Sequence, residues 1–296
     1  MNCIGAVKIM NFNCKENIKM APLCSMKVGG NAKYLILPKT EEELISAVGY
    51  FREKGEKYIV VGNCSNLVFT DDGYDGAVIS TTDMKGLAFE NGIITSLCGD
   101  TLSSLARIAL ENSLTGLEFC YGIPGTVGGA VFMNAGAYGG EISEHFIRGR
   151  FLNGKNEIVT LNSDELEFGY RKSRLMREEL ILISAEFKAA NGEKSEIRAK
   201  MDELMQKRKS KQPLDFPSCG SAFKRPEGYF AGALIEQCGL KGYSIGGARV
   251  SEKHAGFIIN GGNATATDVI KLLEYVAETV FKNTGVMLEP EIRVIL

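Results

Sequence analysis

Tryptophan is absent from the chain, and histidine occurs only twice, at His145 and His254. Without an HExxH run or a cysteine–histidine cluster, a zinc or iron site would find almost no ligands, and no metal is expected. Charge of one sign is missing too: 34 Lys and Arg stand against 36 Asp and Glu, a formal net charge of -2. That balance provides no field to hold a polyanion and argues against nucleic acid as a partner. The eight cysteines, at 3, 14, 24, 64, 98, 120, 219 and 238, never fall into CxxC spacing. They read as reduced thiols of a cytoplasmic protein, not as a disulfide framework. The early segment carries Lys8 and the polar run NFNCKEN where a secretory signal needs a continuous apolar stretch, so none is expected. One uncharged stretch, residues 119–140, approaches the length of a membrane span, but its seven glycines and one proline leave too little apolar area. It reads instead as a buried loop and short helix wrapped around something.

Glycine is what the chain has in excess, 34 residues against seven prolines, and glycine serves where backbone turns sharply or approaches a ligand. Apolar residues make up 45% of a 296-residue chain, which is long for a single core, since cores stop growing near ~250 residues. At least two domains are expected, of mixed α and β character. YLILP reads as a strand and TEEELISAVGYFREK as a helix, with Thr40 and Glu43 in capping-box spacing. YIVVG, LVF and AVIS read as further strands separated by the turn-rich GNCSN and DDGYDG. From about Ile93 the pattern becomes more β than α: glycine-punctuated strands, a helix starting near Thr101, and strands around Ile147 and Ile158 joined by an Asn153-Gly154 hairpin turn. SEIRAKMDELMQKRKSK reads as a charged helix crossing between lobes, and the main boundary is drawn before it. Beyond lie the short helix FAGALIEQCG, a long helix with Val269, Ile270, Leu273, Val276, Ala277, Val280 and Phe281 as its apolar stripe, and a last strand IRVIL.

Neither GxGxxG nor a P-loop is present; the nearest approach to the latter, Gly149 to Lys155, is followed by Asn156 where Ser or Thr would bind magnesium. What remains is a pair of polar glycine loops, GNCSN at Gly62 to Asn66 and GIPGTVGG at Gly122 to Gly129. Each clusters backbone N–H groups. Thr126 is placed to cap the following helix, whose open amides and positive end would suit a diphosphate. For either loop alone the plain alternative is a tight turn packed between strands.

These loops belong to a longer series: GNCSNLV, GLEFCYGIPGTVGGAVFMNAGAYGGEI, FGYRKS, CGSAFKRP and LEPEIRVI, in that order. The series resembles the UDP-N-acetylenolpyruvoylglucosamine reductases, the MurB flavoenzymes, from about Met26 onward. The resemblance implies a vanillyl-alcohol-oxidase-type (PCMH) FAD-binding fold of two subdomains plus a C-terminal α+β substrate-binding domain. The boundaries it implies are a leader 1–25, FAD subdomains 26–82 and 83–192, a substrate domain 193–290, and a terminal strand 291–296. It further implies non-covalent FAD held by Gly62, Asn63, Cys64, Ser65 and Asn66, then by Ile123, Pro124, Gly125, Thr126, Gly128 and Gly129, with Asn134 and Gly136 continuing the wall. Many relatives carry glycine where this chain has Cys64.

The implied reaction takes hydride from NADPH by way of FAD and adds it to UDP-N-acetylglucosamine enolpyruvate. Arg171 matches the arginine that holds the substrate carboxylate, Ser221 the proton donor, and Glu291 the family's catalytic carboxylate, with Glu289 as a competing candidate. Tyr170, Lys211, Lys224 and Arg225 are the implied substrate contacts. Read without the resemblance, each of these is an ordinary surface arginine, turn serine or solvated carboxylate. The basic run Lys207 to Lys211, apart from Lys211, reads as a solvated helix end. Fifty residues separate Arg171 from Ser221, too few for the tyrosine-bearing insert of some members, so the chain resembles the subgroup without it. The expected state is a monomer or weak oligomer with no membrane insertion. The rival readings are another FAD-dependent oxidase of this fold and a non-catalytic UDP-sugar-binding protein.

Overall fold

The computed structural model describes residues 14–296, so the first half of the leader 1–25 lies outside the described residues. The chain forms two compact units. The first holds residues 14–16, Tyr34–Asn63 and Gly76–Arg208, and the second Asn17–Lys33, Cys64–Asp75 and Lys209–Leu296.

In the first unit the helix Glu41–Lys54 starts where Thr40 accepts a bond from the Glu43 amide, has three acids in its first turn, and ends at Gly55 in the left-handed region (φ 63°). The capping box expected there is shifted by one residue: Glu43 accepts from the Lys39 amide at 2.6 Å instead of bonding back to Thr40. Leu44, Ala47, Val48 and Phe51 form its buried face. The strand Tyr58–Val61 pairs in parallel with Tyr74–Ser80, Tyr58 opposite Ala77. A five-stranded antiparallel sheet follows, in the spatial order Ile158–Asn162, Phe146–Leu152, Ile181–Phe187, Ile93–Leu97, Leu87–Glu90. The turn between Phe146–Leu152 and Ile158–Asn162 is wider than the expected Asn153-Gly154 pair. Asn153 Oδ1 accepts from the amides of Lys155 and Glu157, and the left-handed residue is Asn156 (φ 60°), not the glycine. The uncharged stretch becomes a 3-10 turn at Glu118–Gly122, the short helix Val127–Met133 and a two-residue hairpin pairing Gly136–Ala137 with Gly140–Glu141. Among the described residues no helix is long and apolar enough to cross a membrane.

The second unit is built on a four-stranded antiparallel sheet in the order Ser218–Ser221, Phe257–Asn260, Ala248–Val250, Ser244–Ile245. Against it packs the helix Ala266–Thr284, which buries Ala266, Val269, Leu272, Leu273, Val276 and Val280. Leu272 joins the stripe that periodicity assigned, while Phe281 leaves it and stands 48% exposed. The strand Leu67–Phe69 finds its partner at the far end of the sequence, pairing in parallel with Arg293–Ile295.

The long helix has two N-terminal clasps. Thr265 and Asp268 bond reciprocally as a capping box. Asp71 accepts from the Ala266 amide (2.8 Å), the Thr267 amide (2.8 Å) and the Thr267 hydroxyl (2.7 Å). Burial alone would raise the Asp71 carboxyl, but these bonds outweigh it and hold the group below its ordinary value. A depressed folded-state value means that its stabilisation is full above the unfolded carboxyl pKa of about 3.9 and fades as pH falls through the lowered one. Asp71→Ala should therefore lose about 0.5–2 kcal/mol at neutral pH, the usual cost of a lost cap. Urea unfolding checks this, and the gap between wild type and variant should narrow in acid; a gap that stays constant down to the acid transition would refute the assignment.

Candidate functional site

Gly62 and Asn63 lie in the first unit with the second glycine loop, and the two loops touch. A Cβ added to Gly62 would stand 2.1 Å from Thr126 Oγ1 and 3.2 Å from its Cβ, so only glycine fits. Asn63 Nδ2 donates to the Pro124 carbonyl at 2.8 Å. Thr126 is buried and caps the helix Val127–Met133 by accepting from the Gly129 amide at 3.4 Å, as expected. The expectation that the amides of this helix end are open needs correction. Val127 N–H donates to the Asp100 carbonyl and Gly128 N–H to the Cys98 carbonyl, both at 2.8 Å. The reason is that residues 98–102 run alongside the loop, with Thr101 bridging Thr126 and the Leu102 amide bonded to the Gly125 carbonyl at 3.0 Å. With three of its four orphan donors taken, the helix mouth is closed to a diphosphate.

Arg171 sits on a tight turn. Gly169 and Lys172 exchange backbone bonds at 3.0 Å in both directions, leaving Tyr170 and Arg171 at the tip. Arg171 is left-handed (φ 53°), the conformation a type II turn demands at its third position and normally gives to glycine. Its guanidinium lies 5.1 Å from the Tyr170 ring and donates from Nη2 to the Gly136 carbonyl at 2.8 Å and from Nη1 to the Asn134 carbonyl at 3.5 Å. Asn134, 1% exposed, is left-handed at the helix C-cap (φ 42°). All its side-chain polar atoms are engaged by protein: Nδ2 donates to Glu141 Oε2 (2.9 Å) and the Gly169 carbonyl (3.1 Å), and Oδ1 accepts from the Ser143 amide (3.0 Å).

The remainder of the first loop belongs to the second unit. Cys64 is buried and left-handed (φ 46°), which accounts physically for glycine being favoured at this place. Its carbonyl accepts from the Ser25 amide at 3.2 Å. A hydrogen bond with Cys24, together with burial, pushes the Cys64 thiol up, so it stays protonated. None of the seven described cysteines is joined in a disulfide. Asn66 donates from Nδ2 to the Glu291 carbonyl at 3.0 Å, and its own carbonyl accepts from the Arg293 amide at 3.1 Å.

Ser221 ends the strand Ser218–Ser221 beyond a register shift, follows the left-handed Gly220 (φ 77°), and is exposed. The next residues pair with the segment carrying Glu291. The Glu291 amide donates to the Ala222 carbonyl at 2.9 Å, Phe223 bridges Pro290, and the Lys224 amide donates to the Glu289 carbonyl at 2.9 Å. Ser221 and Glu291 are thus brought to one place in the second unit. Glu289, the competing candidate, is spent on an ion pair with Lys224, which also occupies that lysine. Arg225 lies 4.0 Å over the Phe230 ring, with Nε donating to the Tyr229 carbonyl at 3.4 Å. Lys211, exposed, is the last residue of the helix Lys194–Lys211.

Sequence reasoning overlooked two side chains near these loops. Arg208, assigned to a solvated face, is half-buried: a Cβ on Gly122 would stand 3.1 Å from its Cδ, and burial lowers its pKa. Ile197, Met201 and Leu204 are the buried face of that helix, and their spacing continues to 208, a signal that was available. Glu141, the acceptor for Asn134, was the other.

Two family models match the chain: an FAD binding domain over residues 32–162, and the C-terminal domain of UDP-N-acetylenolpyruvoylglucosamine reductase over residues 212–295. The UDP-N-acetylenolpyruvoylglucosamine reductase of Caldanaerobacter subterraneus subsp. tengcongensis is 47% identical over 271 residues, 92% of this chain and 90% of that one. The enzyme of the same name from Latilactobacillus sakei is 47% identical over 284 residues, 96% and 94% of the two chains. The crystal structure of MurB from Thermus caldophilus superimposes with a TM-score of 0.79 at 34% identity, covering 97% of this chain and all of that one. A cholesterol oxidase from B. sterolicum shares the fold alone, with a TM-score of 0.50 at 13% identity over 64% of this chain and 40% of that one.

The glycine geometry separates packing from ligand contact. At Gly62 an added methyl displaces the Thr126 cap, so Gly62→Ala should lower thermal stability by about 0.5–2 kcal/mol or more. At Gly129 the nearest atom to an added Cβ is Thr126 Oγ1 at 3.6 Å, an ordinary contact. Gly129→Ala should therefore keep or raise the melting temperature, since alanine favours helix by up to ~1 kcal/mol. If the face of Gly129 belongs to the flavin cradle, the same variant should release flavin more readily in a fluorescence titration. Unchanged flavin affinity in this stable variant would remove Gly129 from the cradle.

Proposed function

We propose a function from one premise: the chain belongs to the UDP-N-acetylenolpyruvoylglucosamine reductase family. It is an FAD-dependent oxidoreductase that uses NADPH to reduce UDP-N-acetylglucosamine enolpyruvate to UDP-N-acetylmuramate, a step of peptidoglycan precursor synthesis. The two glycine loops suit the cofactor. Residues 62–66 and 122–130 contain no charged side chain, so no carboxylate in them repels a diphosphate, and Gly62 lets the two loops close on one another at Thr126. The residues that hold FAD on this reading are Gly62, Asn63, Ser65 and Asn66 with the loop backbone at Ile123 to Thr126.

One set of bonds supports the chemistry more than any other: the run from Asn66 through Glu291 to Ala222, which joins a cofactor loop to both a carboxylate and the residue after a serine. FAD held by these loops would supply the hydride, taken from NADPH, that the terminal carbon of the enolpyruvyl double bond needs. Negative charge then gathers on the neighbouring carbon and its carboxylate. Arg171 holds that carboxylate through charge-assisted hydrogen bonds and stabilises the added charge. Ser221 gives its hydroxyl proton to the neighbouring carbon, and the exposed alkoxide is reprotonated from water. A serine is a weak acid, but a carbanion-like enolate needs only a positioned O–H. Glu291 fixes the hydrogen bonding around the substrate carboxylate. Lys211 and Arg225 stand ready for the diphosphate of the sugar nucleotide, whereas Lys224 serves first to hold Glu289. The place of action is the cytoplasm, as a monomer or weak oligomer. An oxidase of the same fold needs no such serine and carboxylate pair, and a non-catalytic binding protein has no use for them.

Separating the two half-reactions by stopped flow tests the assignment. In Ser221→Ala, bleaching of the flavin by NADPH should stay within about twofold of wild type. Reoxidation by the enolpyruvyl substrate should slow by ~10²–10⁴, the usual worth of a positioned proton donor. Equal losses in both halves would take Ser221 out of the proton-donor role, and rapid oxygen consumption without the enolpyruvyl substrate would favour the oxidase reading.

A further inference from the structure

We infer that Asn134 and Glu141 are positioning residues for Arg171, not part of the wall that touches the cofactor. The inference rests on Arg171 meeting the substrate carboxylate, as proposed above. Its starting point is that Arg171 occupies a left-handed backbone conformation, which a non-glycine residue keeps only where its surroundings impose it. The surroundings here can be named. The Gly169 carbonyl, which closes the turn by accepting from Lys172 at 3.0 Å, also accepts from Asn134 Nδ2 at 3.1 Å. The base of the turn is thereby pinned to the C-terminal end of the helix Val127–Met133. The same Nδ2 donates to Glu141 Oε2 at 2.9 Å, so its two hydrogens are directed one to each acceptor and the amide cannot rotate without losing both. The Ser143 amide, at 3.0 Å from Oδ1, fixes which way round the amide stands.

The guanidinium is tied to the same frame, since its two backbone acceptors are the carbonyls of Asn134 and Gly136. Gly136 pairs with Glu141 across the small hairpin, and a Cβ at Gly136 would stand 2.8 Å from Glu141 Cγ. Backbone and head group of Arg171 are therefore both referred to one rigid element by way of one asparagine and one glutamate. Because Asn134 is 1% exposed and both of its amide hydrogens are spent on protein acceptors, it has no side-chain donor left for a ligand. Misplacing a substrate-clamping group by about an ångström can cost 10²-fold in rate.

The experiment is a double-mutant cycle on the FAD-loaded enzyme, read by single-turnover stopped flow. Asn134→Gly keeps the left-handed cap while deleting the amide. It should leave flavin affinity and NADPH-driven bleaching within about twofold, and slow reoxidation by the enolpyruvyl substrate roughly 10–100-fold. In an Arg171→Ala background the same change should add less than twofold, because its route of action is gone. Glu141→Gln, which retains an acceptor for Nδ2, should react close to wild type, and Glu141→Leu should resemble Asn134→Gly; this pair completes the cycle should Asn134→Gly fold poorly. If Asn134→Gly slows the Arg171→Ala enzyme as much as the wild type, or releases flavin, the positioning role is wrong. If Arg171→Ala itself reoxidises at the wild-type rate, the fault lies instead in the role given to Arg171.

Discussion

Asn66 bonds the Glu291 carbonyl through its side chain and the Arg293 amide through its backbone, at 3.0 and 3.1 Å. The candidate site residues of the second unit are arranged around this junction. From it the strand Arg293–Ile295 continues in parallel along Leu67–Phe69. In the other direction the Glu291 amide reaches the Ala222 carbonyl and so fixes the segment after Ser221. One side-chain amide and two backbone bonds thus tie the loop residue Asn66, the segment of Glu291 and the residue after Ser221 together. Ile292, between them, is buried with Met26, Val68 and Phe223 in one apolar cluster, so the junction is backed by core on its inner side.

Left-handed residues other than glycine recur in and around the candidate site: Cys64, Asn134, Tyr138 and Arg171. Each has its own support. Asparagine visits this region easily, and Tyr138 shares a hairpin tip with Gly139 (φ 95°). Cys64 is held between the Ser25 amide and the thiol of Cys24. Arg171 alone relies on a neighbouring network. The pattern fits the general observation that backbone strain gathers where side chains must be aimed.

Most of the local structure could be read directly from residue patterns. Thr40, Thr101 and Thr126 each begin the helix that their position announced. The apolar period of residues 266–284 was visible except at Leu272 and Phe281, where helix pitch and the width of the buried face decide between neighbours. Motif order nominated the loops, Arg171, Ser221 and Glu291 as candidates, and the structure brings Ser221 and Glu291 into neighbouring segments. What could not be read was non-local. Nothing near Val127 reveals that residues 98–101 would occupy the helix amides, nothing near Leu67 reveals a partner at residue 293, and nothing in YRKS reveals its dependence on Asn134. Such features depend on which distant backbone arrives at an open donor, information that periodicity does not carry.

The parallel pairing of Leu67–Phe69 with Arg293–Ile295 also has a bearing on biosynthesis. Contacts so remote along the chain close late and slowly, because the intervening loop must first lose its entropy. While the polypeptide is still being made on the ribosome, the helix Glu41–Lys54 and the antiparallel sheet of the first unit can already assemble from what has emerged. The Asn66 junction must wait until translation has passed residue 295. A nascent chain therefore holds the segment from Asn66 to Phe69 without its partner strand, and that segment takes its final place only as one of the last events of folding.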